Sequence, residues 1–204
     1  MGVATLASGV ASTAMGSATQ ATGAGSTAMG GSTIAAGKLS LASGAKSQAN
    51  GDYSTAMGFS SQANAKNSAA VSGGIVEETA ENSVAMGKDA KAIVADTVAL
   101  GSGSVASTEK GKVGYDVFGV DHSNDTDGVW KSTANAISVG DAANQITRQI
   151  TGVAAGTEDT DAVNVAQLKA LEKKTNEAAS ASQKHTSVTA GKNISVQALS
   201  LIHI

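Results

Sequence analysis

Ser12-Thr13-Ala14-Met15-Gly16 returns fourteen residues later as Ser26-Thr27-Ala28-Met29-Gly30, and again as Ser54-Thr55-Ala56-Met57-Gly58 and Ser83-Val84-Ala85-Met86-Gly87. The closing glycine recurs at Gly2, Gly16, Gly30, Gly44, Gly58, Gly87 and Gly101. The step is 14 residues except between Gly58 and Gly87, where two turns share one extra residue and Ser72-Gly73 fills the glycine slot. Neighbouring columns keep the same register. Two residues before the glycine stand Ala14, Ala28, Ala42, Ala56, Ala70, Ala85 and Ala99; five after it stand Ala7, Ala21, Ala35, Ala49, Ala63, Ala92 and Ala106. Each unit opens on a hydroxyl, at Ser12, Ser26, Ser40, Ser54, Ser68, Ser83 and Thr97. A disordered low-complexity tract shares this composition but holds no such columns.

The period constrains the fold. A helical hairpin repeat takes about 30 residues or more. Fourteen suffice for two strands of about five residues with tight turns between them, alternate side chains pointing inward. Alanine fits the inner slots of a narrow roll. Glycine fits a turn with positive φ, or a place where another backbone comes close. The prediction is a mainly β chain, a parallel β-roll of stacked 14-residue turns over residues 1–107.

Composition supports this reading. The 204 residues include 24 Gly, no Pro, no Cys and only 2% aromatics, so one copy alone can build only a thin core. Repetition, or a core shared with other chains, must compensate. Met15, Met29, Met57, Met86 and Leu100 place a larger apolar side chain just before the glycine, with Ser43 and Val71 as variants of the column. They either fill the roll's own interior or form an outward stripe that other copies cover. The net charge of −3 and the lack of a basic run leave nothing to neutralise phosphates, so no nucleic-acid partner is expected. Without Cys there is neither a disulfide framework nor a thiolate metal site. No apolar run is long enough to span a membrane as a helix, and the N-terminal residues do not read as a signal peptide.

The register is lost after Thr108. Residues 108–135 hold Tyr115, Phe118 and Trp130 and the polar run Asp121 to Gly128, which reads as an insertion loop. Asp125, Asp127 and Gly128 have a spacing that suggests calcium, but Ser123 takes the leading slot and no glutamate closes the loop, so a solvated loop is expected. Trp130 reads as a packing anchor. Ala136-Ile137-Ser138-Val139-Gly140 restores the repeat, giving a last head turn over 136–146. Thr160 or Asp161 is a suitable N-cap for a helix over about 162–185, with Val165, Leu168 and Leu171 as a thin apolar seam. Residues His185 to Val196 return to β-like alternation.

These stretches together resemble the trimeric autotransporter adhesins with YadA-like heads. Ser12 to Gly16 and Ser83 to Gly87 look like the head repeat of that family. Thr147-Arg148-Gln149-Ile150, Val153 to Thr157 and Asp159 to Leu168 are similar to its neck, and Gly114 to Gly140, with Trp130, resembles the insertion that precedes the neck. The resemblance covers roughly residues 1–196. It implies a homotrimer whose three chains form a left-handed parallel β-roll head, followed by a neck at 147–167, a trimeric coiled-coil stalk at 168–186 and a truncated further β domain at 187–204. Residues 198–204 do not look like family sequence. The trimer core would then take Met15, Met29, Met57, Met86, Leu100, Val165, Leu168 and Leu171; the neck residues of interest are Arg148, Gln149, Asp159, Asp161 and Asn164. Arg148 is expected either to pair with Asp159 or Asp161 of a neighbouring chain or to stand exposed. The family's partners are host extracellular matrix, host cells or sister bacteria. Its place is the bacterial surface, with membrane contact only through an anchor domain missing from this fragment.

No catalytic constellation is present: His122, His185 and His203 lie far apart, and no nucleophile elbow or phosphate loop occurs. No enzyme activity, cofactor or metal is expected. The leading functional expectation is multivalent adhesion, to which the Ser/Thr columns and Lys38, Lys46 and Lys66 contribute an exposed face. A spacer segment of a longer surface fibre is the alternative, and an ice-binding solenoid a more distant one.

Overall fold

The computed structural model describes residues 2–182 and residue 192. The alternation expected over 185–196, the end of the expected helix and residues 198–204 therefore lie outside the described residues, Lys192 apart. The chain forms two compact units, Met1–Ile150 and Thr151–Ile204.

The first unit is a roll of two parallel eight-stranded sheets, each made of alternate strands of the chain. One sheet stacks two-residue strands from Leu6–Ala7 to Val105–Ala106. The other stacks Thr13–Ser17, Thr27–Gly31, Leu41–Ser43, Thr55–Met57, Ala69–Val71, Val84–Met86, Val98–Leu100 and Ile137–Ser138. Apart from the first two of that sheet, the strands are shorter than the five residues expected, because each 14-residue turn spends more of its length on corners. Identical columns face each other across the stack, for example Ala14 with Ala28 and Met15 with Met29. Leu41 N donates to Ser54 O and Gln48 N to Ser61 O, both at 2.9 Å, so every turn is held by its neighbours.

Alternation sends small residues inward. Ala21, Ala28, Ala35, Ala42, Ala49, Ala56 and their successors are wholly buried, and Val76 is the only larger apolar side chain in the core among the described residues. Hydroxyls share that interior: Thr19, Ser26, Thr33, Ser40, Ser47, Ser54 and Ser61 are all buried. This corrects the expected exposed Ser/Thr face. The hydroxyl that opens each unit is two residues before an inward Ala, and a period of two puts both on the same side. The second hydroxyl column caps corner carbonyls, with Thr19 Oγ1 donating to Gly30 O at 2.6 Å and Thr33 Oγ1 to Gly44 O at 2.8 Å.

Two kinds of corner close each turn. A left-handed residue recurs every seven positions, at Ala4, Ala11, Ala18, Gly25, Ser32, Leu39, Lys46, Tyr53, Ser60 and Asn67. The repeat glycine has positive φ as well: at Gly44 φ is 119°, and a Cβ there would lie 2.7 Å from Gly58 O. The extra residue between Gly58 and Gly87 resolves into two opposite changes. Gln62 pairs with Ile75 after 13 residues, and Ile75 with Lys91 after 16, so one corner shortens and the next, over residues 77–83, lengthens.

Val98–Ala99 pairs with Ile137–Ser138, which carries the stack across the insertion. In the second unit a helix runs over Val165–Ser182.

Candidate functional site: the outward apolar column, the roll's end and the insertion

Because Ser and Ala of the repeat face inward, the residue after each must face outward. Met15, Met29, Met57, Met86 and Leu100 accordingly lie in one row on the outer face of the longer-stranded sheet, between 37% and 57% exposed. Ser43 and Val71 continue the row. Within one chain the interior is already filled by alanine, which decides against intra-chain burial of this row. The three lysines do not converge. Lys38 and Lys66 flank Asp52 on one corner column, Asp52 Oδ1 accepting from Lys38 N at 2.8 Å, whereas Lys46 stands on the opposite edge over the Phe59 ring, 5.7 Å from its centroid.

At the C-terminal end of the roll, Asp141 and Ile146 form an antiparallel bridge that turns the chain back. Arg148 then lays its guanidinium across the last turn, donating to Ser104 Oγ at 3.0 Å and to the carbonyl oxygens of Val139 and Ser102. Within the chain Arg148 is therefore a cap on edge carbonyls. Its five fixed donors suit this cluster of acceptors. Gln149 beside it is exposed.

In the second unit, Asp161 closes a loop. Its Oδ2 accepts from Thr157 N at 3.0 Å and Glu158 N at 3.1 Å, and these amides hold its carboxyl below the usual carboxylate range. With Asp161 so engaged, the helix starts later than expected. Asn164 is its N-cap: Asn164 Oδ1 accepts from Gln167 N at 3.1 Å, and Gln167 Oε1 accepts from Asn164 N at 3.2 Å, a reciprocal capping box. The same pair ties the preceding strand of chain to the helix, through Asn164 Nδ2 to Val153 O at 3.2 Å and Gln167 Nε2 to Gly156 O at 3.1 Å. Sequence reading missed Gln167, although Asn-x-x-Gln is the signal for it. Asp159 is exposed, as are Val165, Leu168 and Leu171, three residues apart along the helix.

The insertion is an antiparallel hairpin. Gly111 N donates to Ser132 O at 2.8 Å, Gly114 N to Trp130 O at 2.6 Å, and Val113 bridges Lys131. Its tip folds around His122, whose ring stacks on Trp130 with centroids 4.4 Å apart. Asp121, Asp125 and Asp127 do not converge as a calcium loop would need: Asp121 caps Ser123 N, Asp127 caps Val129 N, and Asp125 faces His122. Among the described residues no group of three potential ligands could hold a metal ion.

Two family models match this architecture. The YadA head domain repeat matches residues 7–33, 35–61, 49–71 and 79–104, and the coiled stalk of trimeric autotransporter adhesins matches 149–191. The chain belongs to the YadA-like trimeric autotransporter adhesins. It is 60% identical over 68 residues to the autotransporter adhesin BadA of Bartonella henselae, which is 33% of this chain and 2% of that protein. It is 52% identical over 71 residues to the trimeric autotransporter adhesin AtaA of Acinetobacter sp. (strain Tol 5), 34% of this chain and again 2% of the relative. The matched stretch is thus a small fraction of these long adhesins. Among solved structures, the collagen-binding domain of the Yersinia adhesin YadA aligns with a TM-score of 0.51 and 26% identity, over 82% of this chain and 78% of that one.

Proposed function

We propose that the chain is a segment of a homotrimeric surface adhesin, in which the outward Met/Leu row is the seam between three rolls. The observation that carries this is the row itself: larger apolar side chains on every turn but that of Ser43, aligned on an outer sheet face while alanine fills the inside. A continuous apolar stripe is rarely left to water by a soluble monomer. In the second unit, Val165, Leu168 and Leu171 are the seam of a coiled coil, since 18 helical residues with so thin a stripe are marginal alone. Arg148, Gln149, Asp159, Asp161 and Asn164 form the neck between head and stalk.

The trimer works without catalysis, as a rod at the bacterial surface that presents repeated weak contacts to host matrix, host cells or sister bacteria. Repetition on a rigid scaffold turns such contacts into avidity. Collagen is the first ligand to test, because the YadA domain that shares the fold is described as collagen-binding. Light scattering on the purified chain tests the assembly: the expected mass is three times the 19.9 kDa of one chain, and Met57→Asp should reduce it. A folded, β-rich monomer over a dilution series would refute the seam.

A spacer role is the second reading. It is favoured by the small share of BadA and AtaA that this stretch matches, which leaves room for adhesive power elsewhere. Replacing the roll by an unrelated rod of equal length separates the two: a spacer is replaceable, an adhesive head is not. An ice-binding face loses its basis, since the Ser/Thr columns that would have formed it are buried.

A further inference from the structure

His122 is held on both sides at once. Its Nδ1 lies 2.6 Å from Asp125 Oδ2 and its Nε2 lies 2.9 Å from Asp116 Oδ2, with the imidazole side chain 12% and that of Asp116 9% exposed. Ionised carboxylates only accept hydrogen bonds, so both ring nitrogens must donate, and only imidazolium does that. A neutral ring would set a lone pair against one of the two carboxylates. We propose that the insertion is a pH-operated clasp: with His122 doubly protonated the tip of loop 114–131 is closed, and with His122 neutral it opens.

The groups that face the ring come from both arms of the hairpin. Asp116 and Asp125, with Asp121 beside the ring in sequence, belong to the tip. Trp130 of the second arm covers the ring face, and its neighbour Lys131 turns away to donate from Nζ to Ser123 O at 2.7 Å. No second base is among these contacts. Asp116 also fixes the backbone of the tip, its Oδ1 accepting from Phe118 N at 2.6 Å. Release of Asp116 therefore frees a segment that carries Tyr115, Val117 and Phe118, all strongly exposed. The hydrogen bonds to Asp116 and then Asp125 raise the proton affinity of His122 above its ordinary value of 6.5. The closing contribution is thus complete below pH 6.5 and is lost as pH rises through the higher, folded-state value.

Trp130 is the only tryptophan in the chain, so its fluorescence reports the ring stack directly. The experiment is a pH titration of the intact chain, with hydrogen exchange read in parallel. In the wild type, Trp130 emission should change with a midpoint above 6.5, and the amides of Gly114 and Phe118 should lose protection across the same range, after correction for intrinsic rates. Roll amides such as Gln48 should not change. Asp116→Asn and Asp125→Asn should each lower the midpoint, and His122→Asn should abolish it while roll circular dichroism stays intact. A wild-type protection pattern that is flat from pH 5 to 9 overturns the clasp without recourse to any variant. So does a Trp130 titration that survives in His122→Asn.

Discussion

Gly37 has no positive φ, yet it has no room for a methyl group. A Cβ at this position would lie 1.9 Å from Gly51 O and 2.3 Å from Gly51 C, where an ordinary contact starts at 3.4 Å. The obstacle is backbone, so no rotamer change relieves it, and the two turns would have to separate there by roughly 1.5 Å. That stretch breaks the link from Tyr53 N to Lys38 O, now 2.7 Å, and strains that from Gly37 N to Ala49 O, now 3.2 Å. One or two such bonds at about 0.5–1.5 kcal/mol each, with overpacking strain of about 1–3 kcal/mol, give a cost for Gly37→Ala of about 2–5 kcal/mol per chain. For a domain of this size about 3 kcal/mol lowers Tm by roughly 6–12 °C. Gly31→Ala is the control, because nothing lies within 4 Å of its Cβ position and its φ is not positive. It should stay within about 0.5 kcal/mol of wild type. Thermal melts followed by far-ultraviolet circular dichroism compare the two. If Gly37→Ala melts with Gly31→Ala, close approach of stacked corners is not what selects glycine. The column offers an internal check. Gly9, Gly23, Gly37 and Gly51 belong to it, and alanine first enters at Ala65, where the following corner is longer.

The two hydroxyl columns should respond in opposite ways. The Oγ of Ser40 is buried and makes no hydrogen bond, so Ser40→Ala should be neutral or stabilising in urea unfolding, whereas Thr33→Val, which strips the donor from Gly44 O, should cost about 1–3 kcal/mol. Asn164→Ala removes one half of the capping box and should cost the helix about 1 kcal/mol, read as lost helical ellipticity; Asn164→Asp should preserve most of it. Arg148→Met should speed amide exchange at the last turn near Ser102 and Val139 while leaving the first turns unchanged. Asp161 has a lowered proton affinity, so its support of the 157–161 loop is complete above its ordinary value of 3.8 and is lost as pH falls through the lower folded value; exchange at Glu158 N across that range checks the sign.

The roll was legible because its signal is columnar. Ala14 and Ala28 read as inward, and Met15 and Met29 as larger and distinct, from position alone. The hydroxyls were misassigned because Ser suits both water and a buried corner, and only the period of two from Ser26 to Ala28 decides between them. The left-handed residues were invisible: Ala11, Leu39 and Tyr53 hold φ near +55° to +60° or slightly below without being glycine, Asn or Asp. Stacking forces that backbone on them, and no local propensity announces it. The helix start was missed for a related reason. Asp161 and Asn164 are both good caps by type, and Asp161 is withdrawn by the amides of Thr157 and Glu158. Nothing in the composition of the insertion placed Asp116 and Trp130 on His122, because those contacts join residues from both arms of a hairpin.

Since the interior of every regular turn is the same handful of small side chains, a turn gained or lost changes no core contact type. Each adds about 4.8 Å along the stack. Duplication of a 14-residue unit is therefore a way to set reach, and length becomes a dial that evolution can move in fixed clicks. A change out of step with that unit has to be taken up at a corner, as at residues 77–83, where the strands before and after the longer loop still meet in register.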